Sequence, residues 1–494
     1  MKKNDWILLS TTGIYSFLFY GESLGLNLSI FTVICCIGLA LLQPNLLKNR
    51  NWLMVGFGTL ISAASVTYFG NAFSIFTNFT SLLLLVGMTM NRKTSVLFAL
   101  MYGIVTLAMA PYSIVNDAIN RKLATAVDVV KLRRKFVIVF VPIVITLLFF
   151  LMYKNSNPLF KVYADKINLN WISFGWIFFT LAGMTLIYGM LKPKRISFLA
   201  SIDEVESLDI RREENKEFKF LGRTIALVDE YFSGKLLFIL LNILIGIVNL
   251  LDINFVFISK VLPDGLTYSQ VIHQGVGMLV VSILISIVIV LFYFRGEMNF
   301  YSKNKVFKML AYLWLIQNMF MLVSVCMKNN LYIENYGLTY KRIGIYVYTL
   351  LTFIGLLTTL LKIYKVKINL YLLRINGWVF YTVLIIASLF NWDDVIIDYN
   401  QKNKHELDIY YAISFSNNTL PKLIALESKI KQPVKRAIFH HKLLYKINDF
   451  HLAYKNTSWK SFNYTDSKVK AYLVKHHHNF QPKIERCRYV ESRY

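Results

Sequence analysis

The chain has 494 residues, of which 56% are apolar and only 17% charged, and its mean hydropathy is +0.48. A soluble fold of this length has no interior able to hide so many apolar runs of spanning length. Composition therefore excludes a string of soluble domains and requires lipid as the solvent for most of the chain. The net charge is +26, and the cysteines Cys35, Cys36, Cys326 and Cys487 offer neither a disulfide framework nor a CxxC metal pair.

The opening "MKKNDWILLSTTGIYSFLFY" has a charged head and an apolar stretch but no small-residue cleavage site, which predicts a retained first helix. Apolar runs follow at Trp6–Tyr20, Leu24–Leu42, Trp52–Phe69, Phe73–Met90, Ser95–Ile114, Phe136–Met152, Trp171–Leu191, Leu236–Phe257, Gly275–Tyr293, Val306–Met327, Ile343–Ile363 and Gly377–Phe390. Each is close to the ~20 residues that cross ~30 Å of hydrocarbon. The first two, joined by "GES", suit a hairpin that does not fully cross. The expected fold is all-α, a polytopic transmembrane protein of about 11–12 membrane helices with a small helical C-terminal domain. The chain divides into membrane helices (1–114), a basic loop (115–135), a membrane pair (136–191), a charged loop (192–235), a second bundle (236–391) and a basic tail (400–494).

Cations set the expected orientation. Ala118–Lys135 holds 6 Lys/Arg, and Lys192–Lys235 holds 9 against 9 acids. The positive-inside rule places both loops in the cytoplasm, with Lys2–Lys3. An odd number of runs separates the N-terminus from "KLRRK", so both reach one side only if one early run fails to span. Eleven crossings then leave the tail outside the cytoplasm, and twelve would leave it inside. The tail carries 18 Lys/Arg against 7 Asp/Glu from Asn400 onward, but long domains cross regardless of charge. Such a tail suits anionic head groups or water, and nucleic acid is not an expected partner. Within it, helices are predicted from Asn418–Thr419 with Pro421 in the first turn, from Pro433, and after Thr465–Asp466.

No GxxxxGK[ST], HExxH, GxSxG or strand-borne GxGxxG occurs, which argues against nucleotide-driven pumps, zincins and serine hydrolases. His476–His478, with His440, His441 and His451, forms a poor metal set because adjacent imidazoles diverge, so no metal or cofactor is expected. "NWDDVIID" places Asp393, Asp394 and Asp398 at the end of the last run. Asp394 and Asp398 share a helix face that would suit a divalent cation, or simply an interfacial helix end. Asn78, Gln317 and Asn318 are the polar groups inside spans; they suit helix–helix hydrogen bonds or a carrier's cavity. No acid or base sits mid-span, which lowers the case for an ion-coupled carrier.

The densest polar chemistry lies in "LYIENYGLTYKR", Leu331 to Arg342. Gly337 permits a turn that folds Glu334 back toward Lys341 or Arg342, with Tyr332, Tyr336 and Tyr340 at head-group depth. The stretch is either a rigid aromatic turn or, with Glu334 as acid or base, a clamp for a lipid phosphate. In the eleven-crossing arrangement His273 lies on the same side, opposite Arg374, so that His273, Glu334, Lys341 and Arg342 could line one pocket.

The blocks "LPDGLTYSQVIHQGVGMLVVSILISI", "NNLYIENYGLTYKRIGIYVYTLL", "YLLRINGWVFYTVLIIASLFNWDDVIIDYN" and "LDIYYAISFSNNTLPKL" resemble an uncharacterised family of bacterial polytopic inner-membrane proteins, catalogued as a domain of unknown function, in a Bacteroidetes-like version. The likeness covers Leu236 to Tyr464 well and the first half only in hydropathy. It implies a membrane location and a multi-span helical fold, and it brings no reaction. The expected role is a non-catalytic scaffold, sensor or accessory subunit that contacts membrane lipids and binds a protein partner through its tail or loops. A carrier or flippase, or a transferase acting on lipid-linked substrates, are the alternatives, and the balance tilts away from an enzyme.

Overall fold

The computed structural model describes residues 3–91, 93–123, scattered residues between 138 and 160, and residues 173–205, 207–212, 219–220, 223–224, 227–254, 268–403, 408–455 and 457–476. Among them the one sheet is a two-residue antiparallel pair, Lys219–Phe220 with Arg223–Thr224, and the rest of the regular structure is helix.

The N-terminal half comprises α1 (Lys3–Phe19), α2 (Leu26–Leu42), α3 (Arg50–Phe69), α4 (Ala72–Gly87), α5 (Val96–Ala108), α6 (Ala110–Leu123), α7 (Phe174–Leu191) and the short α8 (Ser197–Asp203). Local sequence sets the starts: Asn49, Asn71, Ser95 and Ser173 each accept a hydrogen bond from a first-turn amide of the helix that follows. A second bundle holds α9 (Leu227–Ile253), α10 (Tyr268–Tyr293), α11 (Asn304–Tyr336), α12 (Tyr340–Tyr364) and α13 (Asn369–Ser388). The chain closes with α14 (Trp392–Lys402), α15 (Ile409–Ile413), α16 (Leu420–Glu427), α17 (Pro433–Lys455) and α18 (Tyr464–His476).

Every apolar run falls on a helix except Phe136–Met152, which lies mostly outside the described residues. Among the described residues six helices, α3, α7, α9, α11, α12 and α13, are long and apolar enough to cross a membrane. The sequence runs predict about 11–12. Of the other runs, most of Phe136–Met152 and part of the side chains of Gly275–Tyr293 lie outside the described residues, and turn chemistry shortens two more: α2 stops after 17 residues ahead of Pro44, and α4 runs for 16 between Asn71 and its close contact with α5.

Hydrogen bonds and ion pairs define two ends. At the first, Lys192 lies 3.9 Å from Asp5, Lys194 pairs with Asp117 at 2.8 Å, and the Ser95 amide donates to Asp203. The turn between α12 and α13 joins them through Lys367–Asp209 at 2.5 Å. Lys194 and Asp203 are close in sequence, with the seven-residue α8 between them, too short a reach to bridge a bilayer. Ser95 and Asp117 both bond to this segment, and α5 and α6 are bent by 61° to one another at Met109.

At the second end, Tyr20 bonds Ser173 and the helices α14–α18 form a cap. The cap shares its core with the bundle: Ile333 and Leu338, around the α11–α12 turn, pack with Ile396, Ile397, Leu420, Phe439, Leu443 and Ile447.

Candidate functional site

The stretch 331–342 is the end of α11, a turn and the start of α12, and the cap closes over it. Gly337 takes φ 79°, a value L residues rarely adopt, which reverses the chain there. Both backbone groups of Leu338 are held by one side chain: its amide donates to Asn400 Oδ1 at 2.6 Å, and its carbonyl accepts from Asn400 Nδ2 at 2.9 Å. Arg342 is 8% exposed. Its guanidinium donates to the carbonyls of Tyr336 and Gly337 and stacks 4.0 Å from the Tyr332 ring centroid. Among the described residues Glu334 makes no ion pair with Lys341 or Arg342; it accepts from Asn330 Nδ2 at 3.0 Å. The fold-back pair expected from the sequence gives way because the nearer turn carbonyls, left without helical partners, take the guanidinium.

The acidic cluster belongs to the same junction. Tyr340 Oη donates to Asp393 Oδ1 at 2.7 Å, and the amide and hydroxyl of Ser416 donate to Asp393 Oδ2 at 2.9 and 2.5 Å. The Tyr340 amide in turn donates to Tyr411 Oη at 2.9 Å. Asp394 and Asp398 do share a face, and the cation between them is Lys422, 3.1 Å from Asp394 and 2.7 Å from Asp398. Burial, the largest influence, pushes the Asp394 carboxyl above its usual range although Lys422 works the other way. Burial opposes the Lys422 charge too, but Asp398 and Asp394 outweigh it and hold the ammonium above its ordinary range. The side chain of His273, on α10, lies outside the described residues. Arg374 bonds the Asp203 carbonyl at the opposite end.

Between the cap and the ends of α3 and α13 opens a cleft of about 700 Å³. Ala64, Ser65, Tyr68 and Phe69 form one wall, Leu389, Asn391 and Asp394 the second, and Lys422, Thr465 and Lys468 the cap side. Asn418 and Thr465 tether the cap here by donating to the Phe69 carbonyl at 2.9 and 3.0 Å. A further latch joins cap and α1–α2 turn: Ser458 and Ser461 donate to Glu22 at 2.6 and 3.0 Å, and Lys460 lies 3.4 Å away. Glu22, Asn391, Asn400, Lys422 and Lys468 carry no motif, and in sequence only their proximity to helix ends sets them apart.

The polar groups inside the spans serve the bundle. Asn78 accepts from Thr32 and donates to Ser62, Asn318 Nδ2 donates to the Trp314 carbonyl, and Gln317 bonds Asn242 at 2.7 Å. Among the described residues no three His, Cys, Asp or Glu side chains converge on a cation position.

No curated protein and no solved structure matches the chain. A family profile described as "Domain of unknown function (DUF4153)" matches residues 8–426, from α1 into α16, which takes in both bundles, the 331–342 turn and the acidic cluster. A membrane-embedded, all-helical chain matched over that span belongs to this DUF4153 family.

Proposed function

We propose that the protein is a non-catalytic scaffold or sensor of the bacterial inner membrane, with its cap outside the cytoplasm and a basic cap face that binds an acidic surface of a partner protein. The observation that carries this reading is the cap itself. Buried contacts clamp it to the α1–α2, α3–α4, α11–α12 and α13–α14 junctions, while Lys431, Lys435, Arg436 and Lys455 stay exposed on its outer side. Titratable groups with the chemistry of a catalyst, Asp393, Tyr340 and Arg342, are engaged in holding the junction.

The sidedness follows from the cations. Lys48, Arg50, Lys192, Lys194, Lys365 and Lys367 flank helices at the uncapped end, which the positive-inside rule assigns to the cytoplasm. With α5–α6 taken as a re-entrant pair and Phe136–Met152 taken from its sequence as a span, the crossings are α1–α4, that run, α7 and α9–α13, about eleven in all. An odd count puts Lys3 and the cap on opposite sides.

The test is extraction of the full chain in mild detergent, with mass spectrometry of bound proteins, beside the same protein carrying K435E and R436E. A stoichiometric companion that the variant loses supports the reading. A chain that emerges alone, or keeps its companion in the variant, overturns it. A periplasm-dependent enzyme reporter fused after Tyr494 should be active, and a silent one with a stable fusion overturns the sidedness.

A further inference from the structure

We propose that the cleft under the cap holds the polar head of a phospholipid, its phosphate on Lys468 and its amine or hydroxyl hydrogens on Asp394 and Asn391. This goes beyond the scaffold reading and stands without it. The first argument is an orphan atom. Asn391 is 9% exposed and lines the cleft; its Nδ2 donates to Asp394 at 2.8 Å, and among the described residues its Oδ1 has no hydrogen-bond partner. A buried acceptor in that state calls for a donor from outside the chain.

Charge gives the second argument. Lys422 is neutralised by Asp394 and Asp398, whereas Lys468 lies 4.5 Å from the Tyr464 ring centroid and, among the described residues, meets no carboxylate. The lining thus pairs one uncompensated cation with acceptors on the facing wall, the complement of a phosphate ester that carries N–H or O–H groups. The volume of about 700 Å³ accommodates such a head group.

The opening of the cleft identifies lipid as the source. Ala64 and Tyr68 continue downward through Leu60 and Phe57, an exposed stripe on one face of α3 at spacings of three and four. Leu389 continues through Ile386, also exposed, on α13. Two acyl chains laid along these stripes would keep their contact with the bilayer while the head group sat among the polar side chains. A soluble phosphate ester gains nothing from such a path.

The experiment uses the intact protein in nanodiscs of phosphatidylcholine, which has the phosphate but no N–H donor, doped with phosphatidylethanolamine or phosphatidylglycerol. Lipid retained after detergent extraction is then quantified. Enrichment of a doped lipid over phosphatidylcholine, reduced about tenfold in K468Q and in A64W, supports the proposal. Both positions are exposed, so both variants should elute and resist protease as the parent does. Displacement by glycerophosphate, with A64W unchanged, rejects the lipid source in favour of a free phosphate ester. No enrichment, or equal enrichment in all three proteins, overturns the site.

Discussion

The two bundles solve one problem by different means. Between α4 and α5 the backbones touch: Gly87 faces the Ala99 carbonyl and Gly103 the Leu83 carbonyl, with no room for a side chain at either glycine. Hydroxyls and Asn78 stitch the neighbouring helices α2, α3 and α4. The second bundle fills its centre with rings, Phe238 against Phe307 and Trp314 with centroids 5.2 Å apart, and Phe307 against Tyr293 at 5.7 Å. Since lipid tails are as apolar as leucine, helices in a membrane associate through close packing and hydrogen bonds, not through burial from water. The α4–α5 contact reaches close packing by removing side chains, and the cluster around Phe307 by interlocking large ones.

The first mode should be the more brittle. G87A places a methyl group into the Ala99 carbonyl, so the backbones must part, at about 3 kcal/mol or more. F307L leaves an aliphatic side chain in the ring cluster and should cost about 1–2 kcal/mol. Apparent melting temperatures in one detergent measure both, with the larger drop expected for G87A. A larger drop for F307L would break the contrast.

Much of the helical framework can be read from the sequence, because lipid solvation writes itself as apolar runs and the tail's caps and prolines sit where α16 and α17 begin. The break in the run Ser95–Ile114 also had a signal: Pro111 stands at the start of α6, where a proline ends the preceding helix. The candidate site was legible only in pieces. The 331–342 stretch and the Asp393 cluster each stand out by composition, yet the Tyr340–Asp393 hydrogen bond that joins them spans 53 residues and leaves no periodicity. Glu22 and Ser458 are 436 apart, beyond any pattern that spacing can carry. The re-routing of Arg342 to the turn carbonyls depended on backbone groups whose direction composition does not reveal.

The cap rests on both bundles, so its attachments sharpen the comparison. On the second bundle the clamp is buried and bidentate. N400L leaves the Leu338 amide and carbonyl without their partner, which should cost about 1–3 kcal/mol for each group that finds no other. Limited proteolysis should then cut the 403–433 region faster while the bundle's melting temperature holds. Unchanged cutting would show that α14 docks by its apolar residues alone.

The attachment to the first bundle is weaker and depends on pH. The Ser458 hydrogen bond, aided by Ser461 and Lys460 and opposed by burial, holds the Glu22 carboxyl below its ordinary 4.5. A carboxyl depressed in the folded state contributes stability above its unfolded value and loses it as pH falls through its folded value. The latch between residues 22–26 and 458–463 should therefore be intact at neutral pH and release below about pH 4.5, with an effect near 1 kcal/mol because the group is close to solvent. Other acids titrate in the same window, so the measurement is a difference. Acid-stable protease cleavage near Trp459 should rise between pH 5 and pH 3 in the parent, and E22Q should cleave at the higher rate throughout. An acid-induced rise of equal size in E22Q would assign the release to other carboxylates and leave the first bundle, like the second, joined to its cap by packing.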